Sequence, residues 1–120
     1  MISYCIAVYR PTYARLLLAD LARKTTVPYE ILVWLNVADE SLENDIAAAA
    51  ARGVPLRIVG RTPGNIGMTA YRALFRAARF ALIAQIDDDV VRLSRGIAER
   101  ADRLFRRFPA VRQIVADVWQ

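Results

Sequence analysis

Three consecutive carboxylates, Asp87, Asp88 and Asp89, directly follow the mostly apolar segment FALIAQI. Negative charges this close together at the end of a buried-looking segment cost stability unless a cation neutralises them. Mg²⁺ and Mn²⁺ prefer oxygen ligands and typically take one or two carboxylates together with substrate phosphates. The alternative is an acidic turn before a helix, where the helix dipole favours aspartate. Alone, the triplet is equally compatible with a metal-phosphate site and with an acidic turn.

The direction of each aspartate side chain depends on whether strand geometry continues through the triplet. In a strand, successive side chains point to opposite faces of the sheet. Asp87 and Asp89 then project to one side, as a D-x-D pair that can hold a metal bridging a diphosphate. Asp88 projects to the other side, towards solvent or a basic neighbour.

The composition excludes several kinds of catalytic site. The chain has 120 residues and no histidine, which excludes Ser-His-Asp and Cys-His catalysis and every His-ligated zinc site. Its single lysine, Lys24, and the absence of a GxxxxGK[ST] segment exclude a Walker-type phosphate loop. Cys5 lies in an apolar run and is expected to be a buried hydrophobe. The length and the hydrophobic fraction of 56% are typical of one globular domain, so we expect residues 1–120 to form a single domain.

Charge and hydropathy indicate the compartment and the kind of partner. No apolar run approaches the ~18–20 residues that span a bilayer, and the start MISYCIAVYRP lacks a secretory signal, so we expect a cytoplasmic protein. The net charge of +5 suits an anionic partner. The arginines are scattered over several predicted helices, and we expect no nucleic-acid partner. The basic segment RLSRGIAERADRLFRRF is either an ordinary surface helix or a contact with anionic lipid that places the protein peripherally at a membrane.

The elements that must position the triplet alternate between strand-like and helix-like patterns. Short apolar, β-branched runs predict strands over residues 2–8, 29–35, 56–59, 80–86 and 111–118. Apolar residues at helical spacing predict helices over residues 13–24, 41–52, 67–78 and 93–108. This alternation requires crossover connections, so the predicted fold class is α/β, with a mostly parallel sheet and helices on both faces.

Polar segments follow four of the predicted strands, at residues 9–12, 36–39, 61–67 and 87–89. In open parallel sheets, ligands bind beyond the carboxyl ends of the strands, where the strand order reverses. We therefore expect these four segments to lie along one edge of the sheet and to contain the binding site.

The stretch from Pro63 to Asp89, PGNIGMTAYRALFRAARFALIAQIDDD, carries a resemblance to a known family. It resembles the order of N-x-G, a helix with small residues and an apolar strand ending in D-x-D that is found in family 2 glycosyltransferases of GT-A fold. The earlier segments YRP and YEILVWLN are similar to the ends of the family's first and second strands. Leu35 stands where the second strand usually carries an aspartate. The resemblance covers essentially the whole chain and implies a GT-A (Rossmann-like) nucleotide-binding half.

By this resemblance, the triplet binds a divalent cation, Mn²⁺ or Mg²⁺, and the cation site is favoured over the acidic turn. Asp89 would be the direct metal ligand, and Asp87 would reach the ribose or a metal-bound water. Asp87 and Asp88 are also counted among the residues that line the nucleotide-sugar site.

The resemblance places further nucleotide-sugar-binding residues at the other strand ends: Val8, Tyr9, Arg10, Asn36, Asn65 and Gly67. The segment of residues 8–10 would line the nucleotide pocket, and Asn36 would lie near the base. Asn65 and Gly67 would lie beside the nucleotide at the start of the third helix. Glycine allows close approach of a ligand there, and the helix end offers free N–H groups. A plain helix cap and a turn are the alternative roles of these two residues.

The activity implied by the resemblance is transfer of a sugar, with inversion, from a nucleoside-diphosphate sugar to a lipid-linked or saccharide acceptor. Family members usually continue with an acceptor-binding half that carries the catalytic base. Nothing between Leu93 and Gln120 resembles that base, since Glu99 would lie on a helix and Asp117 in the middle of a strand. We therefore expect the donor-binding part of a glycosyltransferase whose acceptor side lies in a further segment or a partner chain. The alternative is a non-catalytic GT-A-like binding or interaction module that needs a partner chain.

Overall fold

The computed structural model describes residues 1–116, and the chain folds into a parallel sheet flanked by helices. The strands are β1 (Ile2–Val8), β2 (Tyr29–Leu35), β3 (Leu56–Arg61) and β4 (Leu82–Asp87). The helices are α1 (Pro11–Lys24), α2 (Glu40–Ala51), α3 (Met68–Ala77) and α4 (Ile97–Arg107). All neighbouring strands pair in parallel, in the order β3-β2-β1-β4, which confirms the predicted α/β class.

Alternate residues of the strands fill two separate layers of the core. On one face of β1, Tyr4, Ile6 and Val8 pack with residues of α1, α2 and the first turn of α4. On the other face, Cys5 packs against α3 through Tyr71. Helices therefore cover both faces of the sheet, as predicted. Cys5 is fully buried, as expected, and this burial raises the pKa of its thiol to about 12.

The first three helices begin at residues whose chemistry suits a helix start. Pro11 occupies the first turn of α1, where no intrahelical partner exists for a backbone N–H. Asp39 caps α2, because its carboxylate accepts a 2.7 Å hydrogen bond from the Leu42 backbone N–H. Gly67 precedes α3 with a φ of 57°, a conformation that favours glycine. These local signals explain why all three helices lie within one or two residues of their predicted bounds.

β3 is longer than the sequence pattern predicts. The apolar run that predicts this strand stops at residue 59, but the strand continues through Gly60 to Arg61. The indole of Trp34, in the neighbouring β2, lies over Gly60, and a Cβ at this position would collide with the ring. Gly60 is therefore a strand residue that makes room for a tryptophan.

α4 begins at Ile97, whereas the pattern predicted a start at residue 93. Side chains of α1 hold both backbone groups of Leu93: its N–H donates to the Asp20 carboxylate (2.9 Å) and its carbonyl accepts from Lys24 Nζ (2.6 Å). Burial alone would raise the pKa of Asp20, but hydrogen bonds from Lys24, Leu93 and Arg23 outweigh it and lower the pKa to about 2. These contacts keep the segment before α4 out of the helix.

The strand predicted for residues 111–118 is wrong for the part that the structure describes. Residues 111–116 form no strand and are exposed, and residues 117 and 118 lie outside the described range. The apolar, β-branched composition of this segment favours a strand, but a strand also needs a neighbour to pair with. None of residues 111–116 joins the ladders of the four-stranded sheet.

Candidate functional site

The strand order reverses between β1 and β4. In open parallel sheets, ligands bind in the crevice outside the carboxyl ends of the strands at such a reversal, and this region is called the crevice below. β2 and β3 follow β1 on one side, while β4 lies on its other side. Ala7 pairs with Asp87, so the two strands end side by side. The segments Tyr9–Arg10 and Asp87–Asp89 therefore leave the sheet next to one another.

Asp88 ties these two strand ends together. Its side chain is buried, and one carboxylate oxygen accepts hydrogen bonds from the backbone N–H groups of Tyr9 (2.7 Å) and Arg10 (2.6 Å). The other oxygen lies 3.3 Å from Nε of the Arg10 guanidinium. The basic neighbour that strand geometry allowed for is thus Arg10. Because the protein's own donors engage both oxygens, Asp88 holds the ends of β1 and β4 together.

Asp87 and Asp89 are exposed on either side of the buried Asp88, in the alternation that continued strand geometry predicts. Asp89 accepts a 2.7 Å hydrogen bond from the Arg10 guanidinium, and both side chains are about half exposed, at 47% and 52%. No ion pair of Asp87 occurs within residues 1–116. The two exposed carboxylates at the mouth of the crevice are therefore the ones accessible to a ligand.

This pair of carboxylates suits a hard divalent cation in its chemistry. Carboxylate oxygens are the ligands that Mg²⁺ and Mn²⁺ prefer. Residues 1–116 contain no group of three or more His, Cys, Asp or Glu side chains arranged to hold a metal. A cation at Asp87 and Asp89 thus needs further oxygens, and phosphates and water are the usual source of them.

Asn36 joins the crevice to the segment that precedes α3. It is buried at the end of β2, and its backbone N–H donates to the Val8 carbonyl (2.8 Å). Its side-chain oxygen lies 3.0 Å from the Thr62 hydroxyl, and its amide nitrogen lies 3.4 Å from the Asn65 side-chain oxygen. That Asn65 oxygen also accepts from the Gly67 N–H (2.8 Å). The amide of Asn36 is therefore used inside the protein, where it supports the loop.

Hydrogen bonds join all four polar segments that follow the strands. Asp88 connects the end of β4 to β1, and Asn36 connects β1 and β2 to the loop after β3. The expected single edge of polar segments is thus found.

The start of α3 leaves open space for a ligand beside Gly67, where a Cβ would meet nothing within 4 Å. Most backbone N–H groups of this turn are already bonded: that of Gly67 to the Asn65 side chain, that of Thr69 to the Ile66 carbonyl and that of Ala70 to the Gly67 carbonyl. Glycine is required here by the positive φ of 57°, and the open space lets a ligand approach the backbone and the positive end of the helix dipole.

The residues of the first strand end play different parts. Val8 is fully buried and takes part through its carbonyl group, which accepts from Asn36. Tyr9 is 53% exposed, so its ring is accessible to a ligand. Arg10 faces the aspartates.

Sequence reasoning missed two residues that support the site, Thr62 and Tyr71. The Thr62 hydroxyl lies 3.0 Å from both the Asn36 side-chain oxygen and the Gly64 carbonyl. The Tyr71 hydroxyl donates to the Ile86 carbonyl (3.1 Å) and so anchors β4 just before the triplet. Burial raises the pKa of Tyr71 to about 12, and the charges of the nearby aspartates add to the effect. Helical spacing indicates which side of a helix is apolar, but it carries no information about the partner of the Tyr71 hydroxyl group.

The basic segment forms α4 and the turns around it. Residues 92–116 contain seven arginines and two acidic residues, so they hold a net +5 that equals the charge of the whole chain. Only Ala98 of α4 is buried, and Leu104 and Phe108 are exposed. Contact with anionic lipid stays a prediction. Within residues 1–116, no helix has the length and apolar character needed to cross a membrane.

No protein-family model and no curated protein matches the sequence. Solved structures share its fold. Residues 1–349 of S. aureus TarS in complex with UDP-GlcNAc superpose with a TM-score of 0.74 at 15% identity, over 88% of this chain and 31% of that one. The mannosyltransferase PcManGT from Pyrobaculum calidifontis, in complex with GDP-Man and Mn²⁺, superposes with a TM-score of 0.73 at 14% identity, over 87% and 32%.

The chain thus spans about a third of the length of these proteins. Identities this low show a common fold and nothing finer. The described part of the chain has a glycosyltransferase-like α/β fold.

Proposed function

We propose that the crevice between β1 and β4 binds a nucleoside-diphosphate sugar together with Mn²⁺ or Mg²⁺, as the donor-binding part of a family 2 type glycosyltransferase. The observation that carries this proposal is the pair of exposed carboxylates, Asp87 and Asp89, at the point where the strand order reverses. Buried Asp88 holds that pair against β1. The fold shared with proteins solved in complex with UDP-GlcNAc and with GDP-Man and Mn²⁺ supports it.

In this proposal Asp89 and Asp87 hold the cation, which when bound neutralises charge that develops on the leaving diphosphate. The exposed ring of Tyr9 stacks on the base. The backbone at Gly67 and the start of α3 face the phosphates, since a helix N-terminus favours anions. Asn36 has a supporting role, because its side chain bonds to Asn65 and so holds the loop that carries Gly67.

The acceptor side of the reaction is proposed to lie outside residues 1–116, in a further segment or a partner chain. We assign no catalytic base within the described residues. The acceptor is proposed to be a lipid-linked or free saccharide, and the cytoplasmic location expected from the sequence stays a prediction.

Calorimetric titration of the chain with UDP and with GDP, with and without Mn²⁺, tests the proposal. One of the two nucleotides should bind in the presence of Mn²⁺, and Asp89→Asn should weaken that binding about tenfold or more, because a direct ligand of the cation is lost. Asp102→Asn is the matched control, since Asp102 is a half-exposed acid on α4 that pairs with Arg106. It should bind like the unchanged chain. Absence of nucleotide binding with Mn²⁺ present would contradict the proposal.

A non-catalytic binding module is the second candidate, and the end of β2 favours it. Leu35 is buried there, and the amide of the following Asn36 is used by the protein itself. A buried leucine thus stands where the resemblance places the aspartate of the second strand. Nucleotide binding without release of sugar from UDP-GlcNAc or GDP-Man, even after a partner chain is supplied, would identify this module.

A further inference from the structure

The Arg10 side chain contacts two residues of the aspartate triplet, Asp88 and Asp89. Its Nε is 3.3 Å from an Asp88 oxygen, and its Nη1 is 2.7 Å from an Asp89 oxygen. Its backbone N–H also donates to Asp88, and the next residue, Pro11, begins α1. The main chain of Arg10 is therefore held in place, whereas its side chain is about half exposed.

Arg10 also supplies the positive charge that pairs with the aspartates of this site. In the part of the chain that the structure describes, Asp88 and Asp89 form ion pairs with Arg10 and with no other cation. A guanidinium thus occupies the neighbourhood in which a divalent cation would meet Asp89. The two bonds differ in kind, because the one to Asp88 lies against a buried carboxylate and the one to Asp89 is half exposed.

The geometry points to an exchange of partners by Arg10, an inference that rests on the proposed function. Without ligand, Arg10 neutralises Asp89. A divalent cation competes with Arg10 for Asp89, and the guanidinium then turns to the diphosphate of the bound nucleotide. Arg10 is thus a positioning residue that offsets one of the three negative charges of the triplet before ligand binds and joins the ligand once the cation has displaced it.

Physical chemistry supports both halves of this exchange. A guanidinium and a divalent cation on the same carboxylate repel each other, so each weakens the binding of the other. Once released, the planar guanidinium matches two phosphate oxygens at once, a geometry that an ammonium group does not offer. The half-exposed position of Arg10 leaves its side chain room to move while its backbone stays bonded to Asp88.

The test compares Mn²⁺ alone with nucleotide at saturating Mn²⁺. Arg10→Gln should bind Mn²⁺ about 3- to 10-fold more tightly, since one half-exposed ion pair and one unit of repulsion are removed. The same variant should bind UDP or GDP about 3- to 10-fold more weakly when Mn²⁺ is saturating, since a charge-assisted contact is lost. Free Mn²⁺ is counted by electron paramagnetic resonance, and nucleotide affinity by calorimetry.

Two variants serve as controls. Arg10→Lys keeps the charge but not the planar fork, so its Mn²⁺ affinity should stay near that of the unchanged chain while its nucleotide affinity falls. Arg15→Gln removes an ion-paired arginine on α1 that contacts Asp39 and Asp45 instead of the triplet. It should change neither affinity. The backbone bonds to Asp88 do not involve the Arg10 side chain, and an unchanged circular dichroism spectrum confirms the fold of each variant.

The opposite signs of the two effects separate exchange from a merely structural role, which would weaken both bindings together. Equal or weaker Mn²⁺ binding by Arg10→Gln overturns the exchange while leaving the cation site intact. Tighter Mn²⁺ binding with unchanged nucleotide affinity also overturns it. If neither the unchanged chain nor Arg10→Gln binds Mn²⁺, the proposed cation site fails and the exchange fails with it.

Discussion

Replacement of Asp88 by alanine should destabilise the chain far more than replacement of either flanking aspartate. Asp88 is 4% exposed and is the acceptor for two backbone N–H groups, at 2.7 and 2.6 Å. A hydrogen bond to a charged acceptor contributes about 1.5–3 kcal/mol. Because Tyr9 and Arg10 are half exposed and water can reach their N–H groups in the variant, the lower end applies, and the loss should be about 3 kcal/mol in all.

The matched comparisons are Asp87→Ala and Asp89→Ala. Asp89 takes part in one half-exposed ion pair, and such pairs contribute about 0–1 kcal/mol. Asp88→Asn should fall between the two cases at about 1–2 kcal/mol, because its amide oxygen still accepts from the backbone but carries no charge. Urea unfolding at neutral pH, followed by circular dichroism, measures all four variants against the unchanged chain.

The reasoning fails if Asp88→Ala and Asp89→Ala lower the free energy of unfolding by amounts within about 0.5 kcal/mol of each other, the scatter of ordinary surface substitutions. It also fails if Asp88→Ala abolishes Mn²⁺ binding without any loss of stability, since Asp88 would then be a ligand and not the tie between two strands.

Three further predictions concern stability. The pKa of Asp20 is about 2, below its ordinary value of 3.8, so the ionised carboxylate stabilises the folded chain. This contribution of about 2 kcal/mol is complete above pH 4 and is lost as the pH falls through 2. Asp20→Asn should remove that pH dependence from acid-unfolding curves. Gly67→Ala should cost about 1–2 kcal/mol because of its positive φ, whereas Gly64→Ala, in open space at an ordinary φ, should cost about 0.5 kcal/mol or less. Gly60→Ala should cost about 2–3 kcal/mol and shift the tryptophan fluorescence, since the added Cβ meets the Trp34 ring.

The parts of the fold that depend on local sequence were predictable. β1 and β2 have their predicted bounds, because a short apolar run closed by a polar residue or a proline defines each of them. The edge of the sheet at which the polar segments meet was predictable for the same reason, since each of these segments follows an apolar strand. The exposure of Asp87 and Asp89 around Asp88 follows from the two-residue period of a strand.

The parts that depend on distant contacts were not predictable. The donors to Asp88 come from residues 79 and 78 positions away in sequence. The role of Gly60 inside β3 depends on the Trp34 ring, which belongs to another strand. The late start of α4 depends on side chains of α1 that hold Leu93. A periodic pattern records which residues are apolar, but it does not record which remote group bonds to a given carboxylate or carbonyl.

Paramagnetic broadening of backbone amide signals by Mn²⁺ tests the central claim most directly. If the cation binds at the carboxyl ends of β1 and β4, broadening should centre on Tyr9, Arg10 and the segment of residues 87–89, and Asp89→Asn should abolish it. Addition of UDP or GDP should then shift the amide signals near Gly67. Broadening that centres on the acidic residues of α4, or that persists unchanged in Asp89→Asn, would contradict the assignment of the site.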